Sequence, residues 1–154
     1  MEIRKFIDKD TGSVSTLIKE CFNTIDLGGH TEEGKRLQIE ANSPQNLVKR
    51  AESTRYFVAS DTDRIIGICG YDKYKVQTLF VDVGYQNQGI GKALLLKILS
   101  EVIKEGLLNI DTWATFYSER FYRAFGFEKT GEIHLPDGKS EIVLIEMKKN
   151  LSSI

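Results

Sequence analysis

Val81-Asp-Val-Gly-Tyr-Gln-Asn-Gln-Gly-Ile-Gly-Lys-Ala-Leu-Leu-Leu96 runs from a short apolar strand through a glycine-bearing turn into a long amphipathic helix. This order of parts builds an anion site. Gly89 and Gly91 lack a Cβ, so backbone can approach a ligand closely. The first amides of the following helix have no intrahelical acceptor and sit at the positive end of its dipole, where a phosphate fits.

Two common glycine-loop motifs fail here. A nucleotide-hydrolase phosphate loop needs Gly-x4-Gly-Lys-Ser/Thr, but Gln86 stands where its first glycine belongs and Ala93 follows Lys92. A dinucleotide fingerprint needs a third small residue where this chain has Leu94, and an acidic residue at the end of a second strand. Neither condition is met.

The stretch does fit Gln/Arg-x-x-Gly-x-Gly/Ala, as Gln86-Asn87-Gln88-Gly89-Ile90-Gly91, with Leu79-Phe-Val-Asp-Val83 before it and a helix after it. Further on, Phe121-Tyr-Arg-Ala-Phe-Gly-Phe127 reads as aromatic-Tyr-x-x-x-Gly-Phe. Together these resemble the acetyl-CoA motif and the second signature of the GNAT acetyltransferase superfamily, from about residue 55 to the end of the chain.

Working outward, Glu2–Ile7 alternates as a half-buried strand, with a break over Asp8–Gly12. Val14, Leu17, Ile18, Cys21 and Phe22 recur at helical spacing, with Ser13 as the expected cap. Residues 23–34 are polar and contain Gly28-Gly29, which predicts a mobile loop. Gly34–Ala41 reads as a second helix, and Ser43-Pro44 as the cap and first turn of a third reaching about Glu52. The runs 55–60, 64–71 and 76–83, joined by short turns, predict three antiparallel strands.

Ile90, Leu94, Ile98 and Val102 line one face of a helix over 88–104. Gly106 ends it, and 107–115 gives a strand with Leu108, Ile110, Thr112 and Ala114 on one face. That crossover makes the strands before and after the helix parallel. A short helix over 116–125, strands over 127–134 and 141–147 and a frayed tail from Lys148 complete the chain. The expected fold is one α/β domain of the α+β kind over 1–154. It has a mixed, mostly antiparallel central sheet flanked by helices, and the resemblance adds that the parallel strand pair is splayed.

With 21 basic against 22 acidic side chains and a formal charge of −1, the chain lacks a whole-protein field for nucleic acid. The aromatics at 116, 121, 125 and 127 follow core spacing, and no apolar run approaches the ~18 residues that span a bilayer. No nucleic-acid or membrane partner is expected, and the expected location is cytoplasmic. Cys21, Cys69, His30 and His134 make no zinc spacing, so no metal is expected and both thiols read as buried.

The resemblance implies acetyl-CoA as cofactor, its pantetheine arm lying along Leu79, Phe80, Val81 and Val83 like an added strand. Its pyrophosphate would rest on the turn Gln86, Asn87, Gln88, Gly89, Ile90, Gly91 and Lys92. The family often has Asn and then Ala where this chain has Thr115 and Ser118, carried here as contacts to the arm. Tyr122 corresponds to the tyrosine that protonates the departing thiolate. Many members hold a glutamate base on the strand before the motif; here that strand offers Lys75, Gln77 and Thr78, with Asp72 upstream as a possible relay.

The function implied is transfer of acetyl to a primary amine of a small molecule, peptide or protein, by direct attack, in a monomer or homodimer. The alternative is a non-catalytic acyl-CoA-binding sensor or scaffold. The least uniform region of the family, here the first two helices and their loop, would form the acceptor wall. Glu32, Glu33 and Glu40 could present charge to a cationic amine, although a solvated helix face explains them more simply.

Overall fold

In a computed structural model, which describes residues 1–137 and 139–152, the apolar middle of the chain forms the antiparallel strands β2 (Arg55–Asp61), β3 (Arg64–Asp72) and β4 (Lys75–Val81). Thr62 and Asp63 both take positive φ, as a tight two-residue hairpin requires. Both faces of these strands are covered. Phe57, Ala59 and Ile66 belong to one core cluster, while Tyr56, Val58, Ile65 and Ile68 belong to another on the opposite face. Double coverage explains why the sequence here is continuously apolar rather than alternating.

The flanking layers follow from helical periodicity. On one face α4 (Ile90–Lys104) packs Ile90, Leu94, Leu95, Ile98, Leu99 and Val102 onto the sheet. On the other, α1 (Thr11–Thr24) contributes Val14, Leu17, Ile18, Cys21 and Phe22, joined by Leu47 of α3 (Pro44–Arg50). Ser43 caps α3 through Asn46 N with Pro44 in the first turn, as the sequence predicts. The second helix, α2, spans Glu32–Ala41 and is capped by Thr31, so it starts two residues earlier than expected.

The remaining elements are β1 (Glu2–Lys5), β5 (Asn109–Ala114), α5 (Glu119–Ala124), β6 (Glu128–Leu135) and β7 (Ile142–Asn150). The sheet order is β1-β2-β3-β4-β5-β7-β6, and β4–β5 is its parallel pair. The mixed, mostly antiparallel architecture matches the expectation.

Five local expectations are corrected. α1 starts at Thr11 rather than behind a Ser13 cap, because a 3-10 turn over Asp8–Asp10 leads straight into it. α4 starts at Ile90 rather than Gln88, since Asn87 and Gly89 both have left-handed φ. Leu108 is exposed and precedes β5 rather than sharing its inner face. The last helix begins at Glu119 rather than 116, and Phe116 and Tyr117 are exposed. The tail is ordered through β7 to Asn150, with Leu151 buried, because it pairs with both β5 and β6.

The segment 23–34 is not the free loop its glycines suggest. Val143 N donates to Gly29 O at 2.7 Å, Thr31 N to Glu141 O at 2.9 Å and Tyr117 N to Leu27 O at 3.0 Å. The Phe116 side chain lies so close over Gly28 that a Cβ there would meet it at 2.8 Å. The glycines serve close approach, not mobility.

Candidate functional site

The parallel pair β4–β5 is registered only at Lys75↔Asp111 and Val76↔Thr112, and beyond that point the strands part. The cause is a bulge in β4. Against β3, Ile68 faces Phe80 and Gly70 faces Gln77, so Thr78 and Leu79 together oppose Cys69. Thr78 absorbs the extra residue with a φ of +60°, in the left-handed region that β-branched residues rarely adopt. The β5-facing edge of β4 past Val76 is therefore left without a strand partner.

A cavity of about 910 Å³ occupies the opening, a size suited to a small-molecule site. Its walls include residues of both core clusters, Phe22 and Phe80 from one and Ile90 and Tyr122 from the other, so it passes through the split in the sheet. Leu79, Phe80, Val81, Gln86, Asn87, Gly89, Ile90, Gly91, Lys92, Thr115, Ser118 and Tyr122 all line it. Two expected members do not. Val83 packs in a 3-10 turn against the α1-side core, and Gln88 is exposed on the outer side of the loop.

At the helix end of the cavity, Ala93 N makes the first intrahelical bond, to Gly89 O at 3.0 Å, leaving the Ile90, Gly91 and Lys92 amides ahead of it. A Cβ on Gly91 would meet Phe121 at 3.6 Å and Val81 at 3.7 Å, ordinary contact distances, so this position of the cavity wall accepts a side chain without a clash at Cβ. Gln86, the first residue of the motif, braces the loop: its Nε2 donates to Val81 O at 2.6 Å. Thr115 and Ser118 bond each other, Oγ1 to Oγ at 2.9 Å and Ser118 N to Thr115 Oγ1 at 3.1 Å. They fix the entry to α5 and border the cavity.

Tyr122 lies beneath the point where β4 and β5 separate, its ring edge-on to Phe121 and Phe127 at 5.4 and 5.3 Å. Burial pushes its phenol well above the ordinary value of ~10; Cys69 adds to the rise and the Thr112 side chain works against it. The group stays protonated at any physiological pH. Thr112 is the last residue of β5 to pair with β4, and its Oγ1 donates to Val76 O at 3.2 Å.

Cys21 also lines the cavity, but its thiol donates to Val81 O at 3.2 Å. Burial, with Asp82 and Glu20 adding, pushes it up to about 12, which removes it as a nucleophile. Among the described residues no cluster of His, Cys, Asp and Glu could hold a metal ion, and no helix is long and apolar enough to cross a membrane.

Sequence reasoning did not find the rest of the wall. Gln38 and Ala41 of α2, Asn42 that caps its C-terminus, Arg50 of α3, Leu135 of β6 and Leu144 of β7 all border the cavity. No local pattern marks them, because only tertiary packing brings them together. Glu32, Glu33 and Glu40 do not reach it; Glu33 instead pairs with Arg36. Asp72 is absent from the lining as well and sits at the β3–β4 hairpin opposite Lys75, so its role as relay is withdrawn.

Comparison with known proteins agrees with this geometry. Residues 27–151 match the family described as Acetyltransferase (GNAT) domain. A GCN5-related N-acetyltransferase from Rhodopseudomonas palustris superposes with a TM-score of 0.88 at 14% identity, over 97% of this chain and 94% of the other. The PaiA N-acetyltransferase from Thermoplasma acidophilum, solved in complex with coenzyme A, gives 0.81 at 21% identity, over 97% and 98%. Over 54 residues the chain is 41% identical to the Histone acetyltransferase TAP1 of Glycine max, a match covering 35% of this chain and 23% of that relative. The chain thus spans about a quarter of the length of that curated relative. A splayed β4–β5 pair, a Gln-x-x-Gly-x-Gly turn at its mouth and a matching family profile over most of the sequence make this chain a member of the GNAT acetyltransferase family.

Proposed function

We propose that the chain transfers acetyl from acetyl-CoA to a primary amine by direct attack. The observation that carries this reading is the joint position of Tyr122 and the α4 amides on one cavity through the split sheet. The amine nitrogen bonds the acetyl carbon, the carbon–sulfur bond breaks, and the amine sheds one proton. Tyr122 donates a hydrogen bond, then a proton, to the sulfur as charge develops on it, and the proton shed by the amine restores the phenol through water. A fold shared with a coenzyme A complex supports this use of the turn.

The test is release of free CoA thiol from acetyl-CoA over a panel of primary amines, with calorimetric titration of acetyl-CoA alongside. Tight binding with no amine turned over would assign the chain to the alternative, a non-catalytic acyl-CoA module. Gly91→Val is expected to weaken acetyl-CoA at least tenfold in a protein that still folds, because its side chain fills cavity otherwise open to the phosphates. Equal affinity would move the phosphate site elsewhere.

The acceptor attacks only when neutral, and the described residues lining the cavity include no carboxylate to take its proton. Its cations are Arg50, Lys75, Lys92 and Arg120. Positive surroundings disfavour the ammonium form and lower the acceptor's pKa, so the proton leaves to water without a dedicated base. The expected profile of kcat/KM rises about tenfold per pH unit until the amine itself titrates, at ~10.4 for a lysine-like amine or ~7.7–8.0 for an α-amine. Tyr122 adds no falling limb below ~10, since burial raises rather than lowers its pKa. Asp72→Asn should cost less than about tenfold. A thousandfold loss with the alkaline rise abolished would make Asp72 the base.

A further inference from the structure

The cavity has a charge pattern that composition does not explain. The chain holds 22 acidic residues in 154. An even spread would put about five (34 × 22/154) among the 34 residues of the lining, and among the described residues there is none. Three of its four cations belong near the split strands and the phosphate end. Lys92 lies in the first turn of α4, Arg120 is on α5, and Lys75 Nζ stands 3.6 Å over the Trp113 ring. Arg50 is different. It comes from α3, on the face of the sheet opposite α4, where the wall is otherwise neutral.

The Arg50 guanidinium is held on three sides by neutral acceptors. Nε donates to Tyr56 Oη at 2.6 Å, one terminal nitrogen to Ala41 O at 3.0 Å and the other to Asn42 Oδ1 at 2.6 Å. Asn42 is itself buried, and its Nδ2 donates to Gln38 O at 2.8 Å, which fixes the oxygen toward Arg50. Arg4, Arg36, Arg55, Arg64 and Arg123 each pair with a carboxylate, whereas Arg50 has no such partner among the described residues. Each terminal nitrogen has a second N–H beyond these bonds, so a guanidinium with donors to spare and a full charge stands fixed on the cavity wall.

We infer that Arg50 is the anchor for a carboxylate on the acceptor, and that the substrate class is a primary amine bearing a single carboxylate, of the amino-acid kind. The inference rests on the acetyl-transfer reading. One guanidinium whose charge no carboxylate offsets matches one monoanion in charge, and its remaining N–H donors suit carboxylate oxygens. A polyamine or aminoglycoside would bring several cations into a cavity that offers them no counter-charge, at a cost rising with each one. Arg50 is a specificity residue; it holds the acceptor and does not move its proton.

The test uses the full chain with acetyl-CoA and matched pairs, each amino acid against its own carboxamide, read by release of CoA thiol. The acid of the preferred pair is expected to exceed its amide in kcat/KM by ~10–10²-fold, the usual worth of a charge-assisted hydrogen-bonded pair. Arg50→Gln should raise KM for the acid by a similar factor, leave the amide and acetyl-CoA affinity within about threefold, and so erase the preference. Arg50→Lys should restore part of it. Amides or polyamines used as well as acids by the wild type would overturn the proposal without any variant. So would equal losses for acid and amide in Arg50→Gln, which would leave Arg50 as a clamp between α2 and β2.

Should no amine be acetylated, thermal shift of the CoA-saturated protein by the same acids separates the two ideas. A shift lost in Arg50→Gln would keep the carboxylate site and end the acetyl-transfer reading. No shift in the wild type would end the carboxylate site.

Discussion

Tyr122→Phe is expected to lower turnover by ~10²–10⁴-fold while acetyl-CoA affinity changes by less than about threefold. Phe keeps the edge-on contacts with Phe121 and Phe127 and removes only the hydroxyl. A free thiol has a pKa of ~8.5, below the ~10 of a tyrosine phenol and further below one raised by burial, so full transfer to a finished thiolate is uphill. The hydroxyl therefore acts while the carbon–sulfur bond is breaking, and its loss falls on kcat rather than on KM. Steady-state kinetics beside a binding titration separate the two. Unchanged kcat in a folded Tyr122→Phe protein would return this residue to the core and leave the sulfur to water.

Gly34→Ala is expected to destabilise the fold by about 3 kcal/mol, although Gly to Ala within a helix ordinarily gains about 1 kcal/mol. The steric term wins because a Cβ at Gly34 would stand 1.9 Å from Glu141 O and 2.7 Å from its carbonyl carbon, and both are backbone atoms that cannot rotate away. For a domain of this size the loss corresponds to a fall in Tm of roughly 6–12 °C. Gly12, in the first turn of α1 with nothing within 4 Å of its missing Cβ, is the control, and Gly12→Ala should hold or raise Tm. A Gly34→Ala protein as stable as the Gly12→Ala one would mean that α2 is not seated on β7.

What could be read from the sequence was what is local. The strand, turn and helix around Gln86–Gly91 declare themselves through apolar spacing and glycine, and twelve of the fourteen expected site residues line the cavity. The bulge that opens that cavity turns on Thr78, and no residue type announces a threonine with positive φ. Gly28 and Gly29 were misleading for a related reason. Composition reports the freedom of a chain, not what later packs against it; here Phe116 and Val143 do so. Arg50 was silent because its meaning lies in the carboxylates that are missing around it. That can be seen only once residues from α2, α3, β6 and β7 share one wall.

The bonds from 27–34 to Tyr117, Glu141 and Val143 also bear on the order in which the molecule assembles. Thr31 and Glu141 are 110 positions apart, so this wall of the cavity cannot close until synthesis has passed Glu141. The three antiparallel strands and the turn before α4 need only neighbours in sequence and are available much earlier during synthesis. A nascent chain thus has the Gln86–Gly91 turn before the opposite wall of the cavity is in place. An alteration at the start of β7, far from α2 in sequence, would therefore reach the seating of α2 and the cavity wall it carries, and not only the pairing of β7 with its neighbouring strands.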